Sequence, residues 1–154
     1  MFNIIFAKKK ILIYGLGLSG NSCLKFLKKK NDVKIFDDNY LLKDKKNKEF
    51  FLRKKDLIKS KFDYIVLSPG IDIQKCGLKN FLKKNFSKII TELDIFYIQY
   101  PKNTKITITG TNGKSTTCQM IYNIFKSKKL DVRLVGNIGK PPLQEKKIKK
   151  KLFS

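Results

Sequence analysis

The residues best suited to chemistry are residues 110–116, which read G-T-N-G-K-S-T. They follow a β-branched segment at 105–109 that predicts a strand, and they precede a segment at 115–128 with apolar residues at helical spacing. Glycines in such a turn let backbone N–H groups face an anion, and the helix N-terminus and a lysine add positive charge. We therefore predict a loop that binds the phosphates of ATP through Gly110, Thr111, Asn112, Gly113, Lys114, Ser115 and Thr116.

The hydroxyl of Ser115 is suited to binding Mg²⁺, as the serine after the lysine does in phosphate-binding loops. The usual pattern has a further glycine five residues before Gly113, where this sequence has Ile108. The loop is therefore a shortened form, G-x-x-G-K-S. A plain glycine-rich turn without a ligand is the alternative, but such a turn does not require the Lys-Ser pair that follows.

Another glycine loop, the first in chain order, lies near the N-terminus, where residues 15–20 read G-L-G-L-S-G and fit the pattern G-x-G-x-x-G; the loop at 110–116 is the second. It lies between an apolar strand at 11–14 and a helix carrying Cys23, Leu24 and Leu27, and a further strand at 33–36 ends at Asp37. These elements predict a βαβ unit that binds a nucleotide diphosphate. NAD, FAD, another nucleotide or no ligand at all remain open at this point.

Two more turns follow predicted strands. Residues 68–71, S-P-G-I, come after an apolar strand at 63–67, and residues 136–139, G-N-I-G, come after a short strand at 132–135. The carboxyl ends of parallel strands are where α/β sheets bind ligands. Amphipathic helices are predicted at 50–59 and 78–84, a last strand of the first sheet at 88–91, and a connecting helix from Glu92.

The order of these motifs resembles that of the Mur ligases of peptidoglycan synthesis, up to about Pro141. The matching landmarks are residues 15–20, 68–71, 92–94, 109–116 and 136–139. The branch most similar adds D-glutamate to UDP-N-acetylmuramoyl-L-alanine. The resemblance implies an α/β fold with a Rossmann-like parallel-sheet domain at 1–91, followed at 92–154 by the truncated start of an ATP-binding α/β domain, with the C-terminal domain absent.

The resemblance also implies a role for each matching position. The UDP-sugar is expected at Gly15, Leu18, Ser19, Gly20, Asp37, Ser68, Pro69, Gly70 and Asn137, with Asp37 near the uracil. Lys114 and Asn137 are the expected catalytic residues, and Ser115 is the expected Mg²⁺ ligand. The implied cofactors are ATP and Mg²⁺, and the implied substrates are UDP-N-acetylmuramoyl-L-alanine and D-glutamate.

In this family ATP activates a carboxylate as an acyl phosphate, which an amine then attacks to form an amide. The chain has 154 residues and contains 0 histidines, so the family's histidine is missing. We therefore expect a fragment that is inactive alone. Another Mur ligase, or a NAD- or FAD-binding Rossmann module, is the alternative.

The formal net charge of +23 raises a third alternative, a nucleic-acid-binding protein. Of the 35 basic residues only Arg53 and Arg133 are arginine, and the lysines are spread over most of the sequence. Base and phosphate recognition favours the guanidinium fork of arginine, so this alternative explains the loops least well. We predict no specific nucleic-acid partner.

The apolar stretch at 2–6 is far shorter than the ~20 residues that span a bilayer, and its lysines follow it rather than precede it. The cysteines Cys23, Cys76 and Cys118 show no C-x-x-C spacing. A cytoplasmic monomer with reduced thiols and no membrane partner is therefore expected.

Overall fold

The computed structural model describes residues 6–39, 45–136 and 140–144. In these residues one parallel sheet is formed by β1 (Lys10–Tyr14), β2 (Asp32–Phe36), β3 (Tyr64–Leu67) and β4 (Ile89–Ile90), in the order β2-β1-β3-β4. The mixed α/β fold class and the predicted strands of the first sheet are confirmed. The chain runs from β1 out to β2 and then crosses to β3 on the other side of β1.

Helices flank this sheet and continue beyond it. They are α1 (Leu18–Leu27), α2 (Lys54–Lys59), α3 (Lys79–Lys84), α4 (Glu92–Gln99) and α5 (Lys114–Ser127), with 3₁₀ turns at Lys45–Phe50, Phe86–Lys88 and Pro142–Gln144. None of the described helices combines the length and apolarity that crossing a bilayer requires.

Side chains of β1 alternate between two hydrophobic clusters, as the period of a strand dictates. Ile11 and Ile13 lie in one cluster with Leu24 and Leu27 of α1 and with Ile95 of α4. On the other face, Leu12 and Tyr14 pack with residues of α2 and α3, among them Leu57 and Leu82. β1 is thus covered on both faces, which is typical of a parallel strand and explains its continuous apolar sequence.

The predicted helix at 50–59 is shorter than expected, since only Lys54–Lys59 is α-helical. Phe51 instead forms an isolated parallel bridge with Ile35, and Arg53 has an extended backbone. Pairing with the sheet edge therefore competes successfully with helix formation at the start of this segment.

The strands predicted at 105–109 and 132–135 are not formed, although the helix predicted between them is. In the second segment only Val135 makes a bridge, to Lys140. A parallel strand needs a hydrogen-bonded neighbour, and the described residues provide none beside 105–109. Among the residues that the structure describes, no second sheet begins, and α5 has no buried residue.

The turn Pro142–Gln144 returns to the first sheet, where Leu143 is buried in the same cluster as Ile13 and Ile95. Residues that precede α5 in the sequence and residues that follow it thus pack in the same hydrophobic cluster. The domain boundary near Thr91 stays a prediction.

Candidate functional site

The first glycine loop is shaped by close backbone packing. Gly15 has a φ of +93°, which favours glycine, and a Cβ there would lie 2.8 Å from Ser68 Cβ. A Cβ on Gly20 would lie 1.9 Å from the Gly15 carbonyl oxygen. These two glycines are therefore required by the fold of the loop itself.

Gly17, by contrast, has open space around it. Apart from its chain neighbours, no atom of the described residues lies within 4 Å of a Cβ built at this position. Gly17 is the N-cap of α1 and provides no side chain to cap it. Within the described residues, the N–H groups of Leu18, Ser19 and Gly20 have no hydrogen-bond acceptor. An uncapped helix N-terminus with free amides and an open approach is suited to binding an anion.

The loop after β3 lies next to the first glycine loop, because β3 is the neighbour of β1 in the sheet. The chain leaves β1 toward β2 on one side and returns to β3 on the other, and ligands bind at such points in α/β sheets. The Ser68 hydroxyl donates to the Gly15 carbonyl at 2.8 Å, and the Ser68 N–H donates to the Tyr14 carbonyl at 3.0 Å. Pro69 and Gly70 are exposed beside it. The structure thus brings the loop of Gly15 and the turn of Ser68 together, because they follow the adjacent parallel strands β1 and β3.

Asp37 has a different environment from the one expected for a ligand-binding carboxylate. It is buried, and its two oxygens accept from the N–H groups of Leu16 at 2.6 Å and Asn39 at 2.8 Å. The carboxylate therefore fixes the glycine loop to the end of β2. Any contact of Asp37 with a ligand stays a proposal.

The neighbouring Asp38 was missed by the sequence analysis. It accepts a hydrogen bond from the buried Tyr14 hydroxyl, and a Cβ on Gly77 would lie 2.4 Å from Asp38 Oδ1. Burial, followed by the contact with Asp38, raises the pKa of Tyr14 far above its ordinary value. Tyr14 and Asp38 thus form a hydrogen-bonded pair at the carboxyl end of β1. The sequence signal for Asp38 is its position just after β2.

Glu92 is the second residue that the sequence analysis did not assign. Its side chain is buried at the start of α4, where one oxygen accepts from the Ser19 hydroxyl and the other from the Leu143 N–H at 3.3 Å. Burial, together with the charge of Glu92, raises the pKa of the Cys23 thiol well above its ordinary value. Glu92 thus joins the first turn of α1 to the turn at Pro142–Gln144.

The second glycine loop has the backbone of a phosphate-binding turn. Gly110 and Gly113 have φ values of +146° and +73°, and α5 begins at Lys114 without a side-chain cap. The Lys114 ammonium donates to the carbonyls of Gly110 and, at 3.1 Å, of Thr111, so the cation lies over the loop. Thr111, Asn112, Ser115 and Thr116 are exposed.

In the described part of the molecule no hydrogen bond or ion pair joins the two loops. No cluster of three or more His, Cys, Asp or Glu side chains that could hold a metal ion occurs in the described ranges. Asn137 and the lysine-rich tail at 145–154 lie outside them.

Two family profiles match this sequence. Residues 9–90 match the profile described as "Mur ligase MurD-like, N-terminal domain", and residues 108–151 match "Mur ligase middle domain". The glycine loop at α1 lies in the first match, and the loop at α5 lies in the second.

Curated relatives carry the name UDP-N-acetylmuramoylalanine–D-glutamate ligase. The protein from Rickettsia prowazekii is 38% identical over 147 residues, which are 92% of this chain and 32% of the relative. For Buchnera aphidicola the identity is 39% over 150 residues, 88% of this chain and 32% of the relative. For Aquifex aeolicus it is 38% over 133 residues, 86% of this chain and 29% of the relative.

The chain spans about a third of the length of these curated relatives. Its first profile match alone, residues 9–90 of 154, covers more than half of the sequence. The chain therefore belongs to the Mur ligase family.

Proposed function

We propose that this chain is part of an ATP-dependent amide ligase that adds D-glutamate to UDP-N-acetylmuramoyl-L-alanine in peptidoglycan synthesis. The observation that carries the proposal is the uncapped N-terminus of α1, which opens over Gly17 at the carboxyl ends of β1 and β3. A diphosphate is the part of a UDP-sugar that such a site fits. The identity of the two substrates in this proposal is taken from the name that the relatives described above share.

In this proposal the amides of Leu18, Ser19 and Gly20 bind the diphosphate of the UDP-sugar. Ser68, Pro69 and Gly70 form the adjoining wall of the cleft, and Gly15 allows that wall to approach. Asp37 shapes the loop through its two amide contacts and lies at the side where the uracil is expected. Asn137 is proposed for the sugar or its lactyl-alanine arm.

ATP fits the second loop because α5 begins with free amides behind two glycines of positive φ. Lys114 is already at the loop and needs only to turn from the Gly110 and Thr111 carbonyls to meet a phosphate. The exposed hydroxyl of Ser115, with Thr116 beside it, would hold Mg²⁺ together with phosphate oxygens. Bound ATP supplies the phosphoryl group that activates the substrate carboxylate toward the amine.

Lys114 and Asn137 are the residues we propose to act on the reacting groups, by neutralising phosphate charge and orienting the substrate. We assign no described residue to D-glutamate, and a sister ligase with another amino acid is the nearest alternative. A cytoplasmic monomer is part of the same proposal.

Dinucleotide binding is less well supported than UDP-sugar binding. In dinucleotide folds an acidic residue after the second strand binds the ribose hydroxyls. Here both oxygens of Asp37 accept from backbone amides of the loop and its own turn. The Asp37 carboxylate therefore stabilises the glycine loop, which favours a structural role over binding to ribose hydroxyls.

Calorimetric titration of the full chain with UDP-N-acetylmuramoyl-L-alanine tests the proposal. NADH and a random oligonucleotide at physiological salt are the controls, and circular dichroism establishes that the chain is folded. We expect selective heat from the UDP-sugar. A folded chain that binds only NADH, or none of these ligands, would contradict the assignment.

A further inference from the structure

Glu92 makes buried hydrogen bonds that the start of α4 does not need. α4 is already capped, because Thr91 and Asp94 form a complete capping box in which each side chain bonds to the other's backbone N–H. The Glu92 carboxylate turns away from this cap and is only 6% exposed. Burying a charged carboxylate is costly unless it is hydrogen-bonded, so the two hydrogen bonds of Glu92 are what stabilise it in this buried position.

The two contacts use different oxygens. Oε2 accepts from the Ser19 hydroxyl, and Oε1 accepts from the Leu143 N–H at 3.3 Å. A carboxylate has an acceptor oxygen for each, whereas an amide side chain has only one oxygen and would present its NH₂ to the other donor. The site is therefore specific for glutamate over glutamine.

One end of this link lies in the proposed UDP-sugar loop, and the other lies downstream of the proposed ATP loop. Ser19 is in the first turn of α1, whose free amides face the open space above Gly17. Leu143 is in the turn that follows residues 136–139, and it is buried against α1 and α4. The Ser19 hydroxyl has one hydrogen and donates it to Glu92, so the side chain cannot donate to an anion while this bond is made.

We propose that Glu92 is a positioning residue that couples the UDP-sugar loop to the segment downstream of the ATP loop. It holds the first turn of α1 in the orientation that presents the amides of Leu18, Ser19 and Gly20, and it fixes the Leu143 turn to that same helix. Occupancy of the loop and the position of the Leu143 segment thereby depend on each other. This inference rests on the proposed UDP-sugar site.

The test uses the full chain with Glu92→Gln, Ser19→Ala and their combination, titrated with UDP-N-acetylmuramoyl-L-alanine. Each single variant is expected to weaken binding about tenfold, as the loss of one charge-assisted hydrogen bond would. The double variant should also lose about tenfold rather than a hundredfold, because both changes break the same link. Asp94→Ala is the matched control, since it weakens the start of α4 but leaves both Glu92 contacts in place.

Hydrogen exchange at the Leu143 amide distinguishes loss of this link from lost stability through the comparison with Asp94→Ala, which weakens α4 but keeps the bond from Leu143 to Glu92. Without ligand, exchange should be fast in Glu92→Gln and slow in the wild type and in Asp94→Ala. UDP-N-acetylmuramoyl-L-alanine should slow exchange of the Leu143 amide further in the wild type and in Asp94→Ala, but not in Glu92→Gln.

Equal affinity and equal exchange in Glu92→Gln and wild type would overturn the inference, and so would an affinity loss in Asp94→Ala as large as in Glu92→Gln. Failure of the folded wild type to bind the UDP-sugar would instead contradict the proposed function, and with it the coupling. The exchange comparison without ligand would still report whether the link exists.

Discussion

At the scale of single residues, the glycines of the first loop divide into two kinds. Gly15 and Gly20 are needed because neighbouring atoms leave no room for a side chain. Gly17 has room for one and a φ of −68°, which any residue adopts. Its glycine is thus explained by access to the helix amides and not by the packing of the loop.

Gly17→Ser should separate stability from binding. Serine is a preferred N-cap, so the free energy of unfolding should stay the same or rise by about 0.3 kcal/mol. The same hydroxyl would accept from the amides of Ser19 or Gly20 and compete with the diphosphate. We expect about a tenfold loss of UDP-sugar affinity, measured by calorimetry beside urea unfolding.

Gly20→Ala is the comparison variant. Its added methyl group meets the Gly15 carbonyl, and overpacking of this kind should lower the free energy of unfolding by about 3 kcal/mol. A Gly17→Ser protein that binds the UDP-sugar as tightly as wild type would show that the α1 amides are not the anion site.

At the scale of elements, the N-termini of the longer described helices differ in kind. α4 has a capping box, whereas α1 and α5 each begin behind a glycine with no side-chain cap. Capped ends satisfy their own amides, and uncapped ends leave them for a ligand. This contrast distinguishes the connecting helix from the two proposed binding helices.

The faces of α4 and α5 should respond differently to substitution. Ile124 in α5 is 58% exposed, and Ile95 in α4 is fully buried. Ile124→Gln should change the free energy of unfolding by no more than about 0.5 kcal/mol, while Ile95→Ala should cost about 2–5 kcal/mol. Urea unfolding followed by circular dichroism measures both. A loss above about 2 kcal/mol in Ile124→Gln would show that the α5 face is packed.

The sequence predicts the first sheet well because β1, β2 and β3 are mostly apolar and each is followed by a turn containing glycine, proline or aspartate. It predicts the strand at 105–109 from equally good local signals, yet that strand is not formed, because strand formation depends on a partner that local sequence does not contain. The site shows the same division. Glycine spacing indicates both loops, whereas the buried contacts of Glu92 and Asp38 join residues far apart in sequence.

At the scale of the whole molecule, charge is the dominant property. The formal net charge is +23, and such an excess destabilises a compact state by self-repulsion. The ion pairs found in the described ranges join residues two or three positions apart, namely Asp32 with Lys34, Arg53 with Asp56, and Asp131 with Arg133. Salt therefore has much repulsion to screen and, among the ion pairs of the described ranges, only local attractions to weaken.

Raising NaCl from about 0.01 M to about 0.15 M shortens the Debye length from about 30 Å to about 8 Å, and Tm should rise. Differential scanning calorimetry gives the value, and KCl should have the same effect if screening is the cause. A Tm that falls with either salt would mean that net attraction, and not repulsion, governs the folded charge distribution.

The most direct test of the central claim is a ¹⁵N–¹H correlation spectrum of the full chain during titration with UDP-N-acetylmuramoyl-L-alanine. If the N-terminus of α1 binds the diphosphate, the amide signals of Gly17, Leu18, Ser19 and Gly20 should shift together and saturate, with smaller shifts near Ser68. Unchanged signals from these residues in a folded, ligand-saturated chain, or shifts confined to other parts of the protein, would contradict the account.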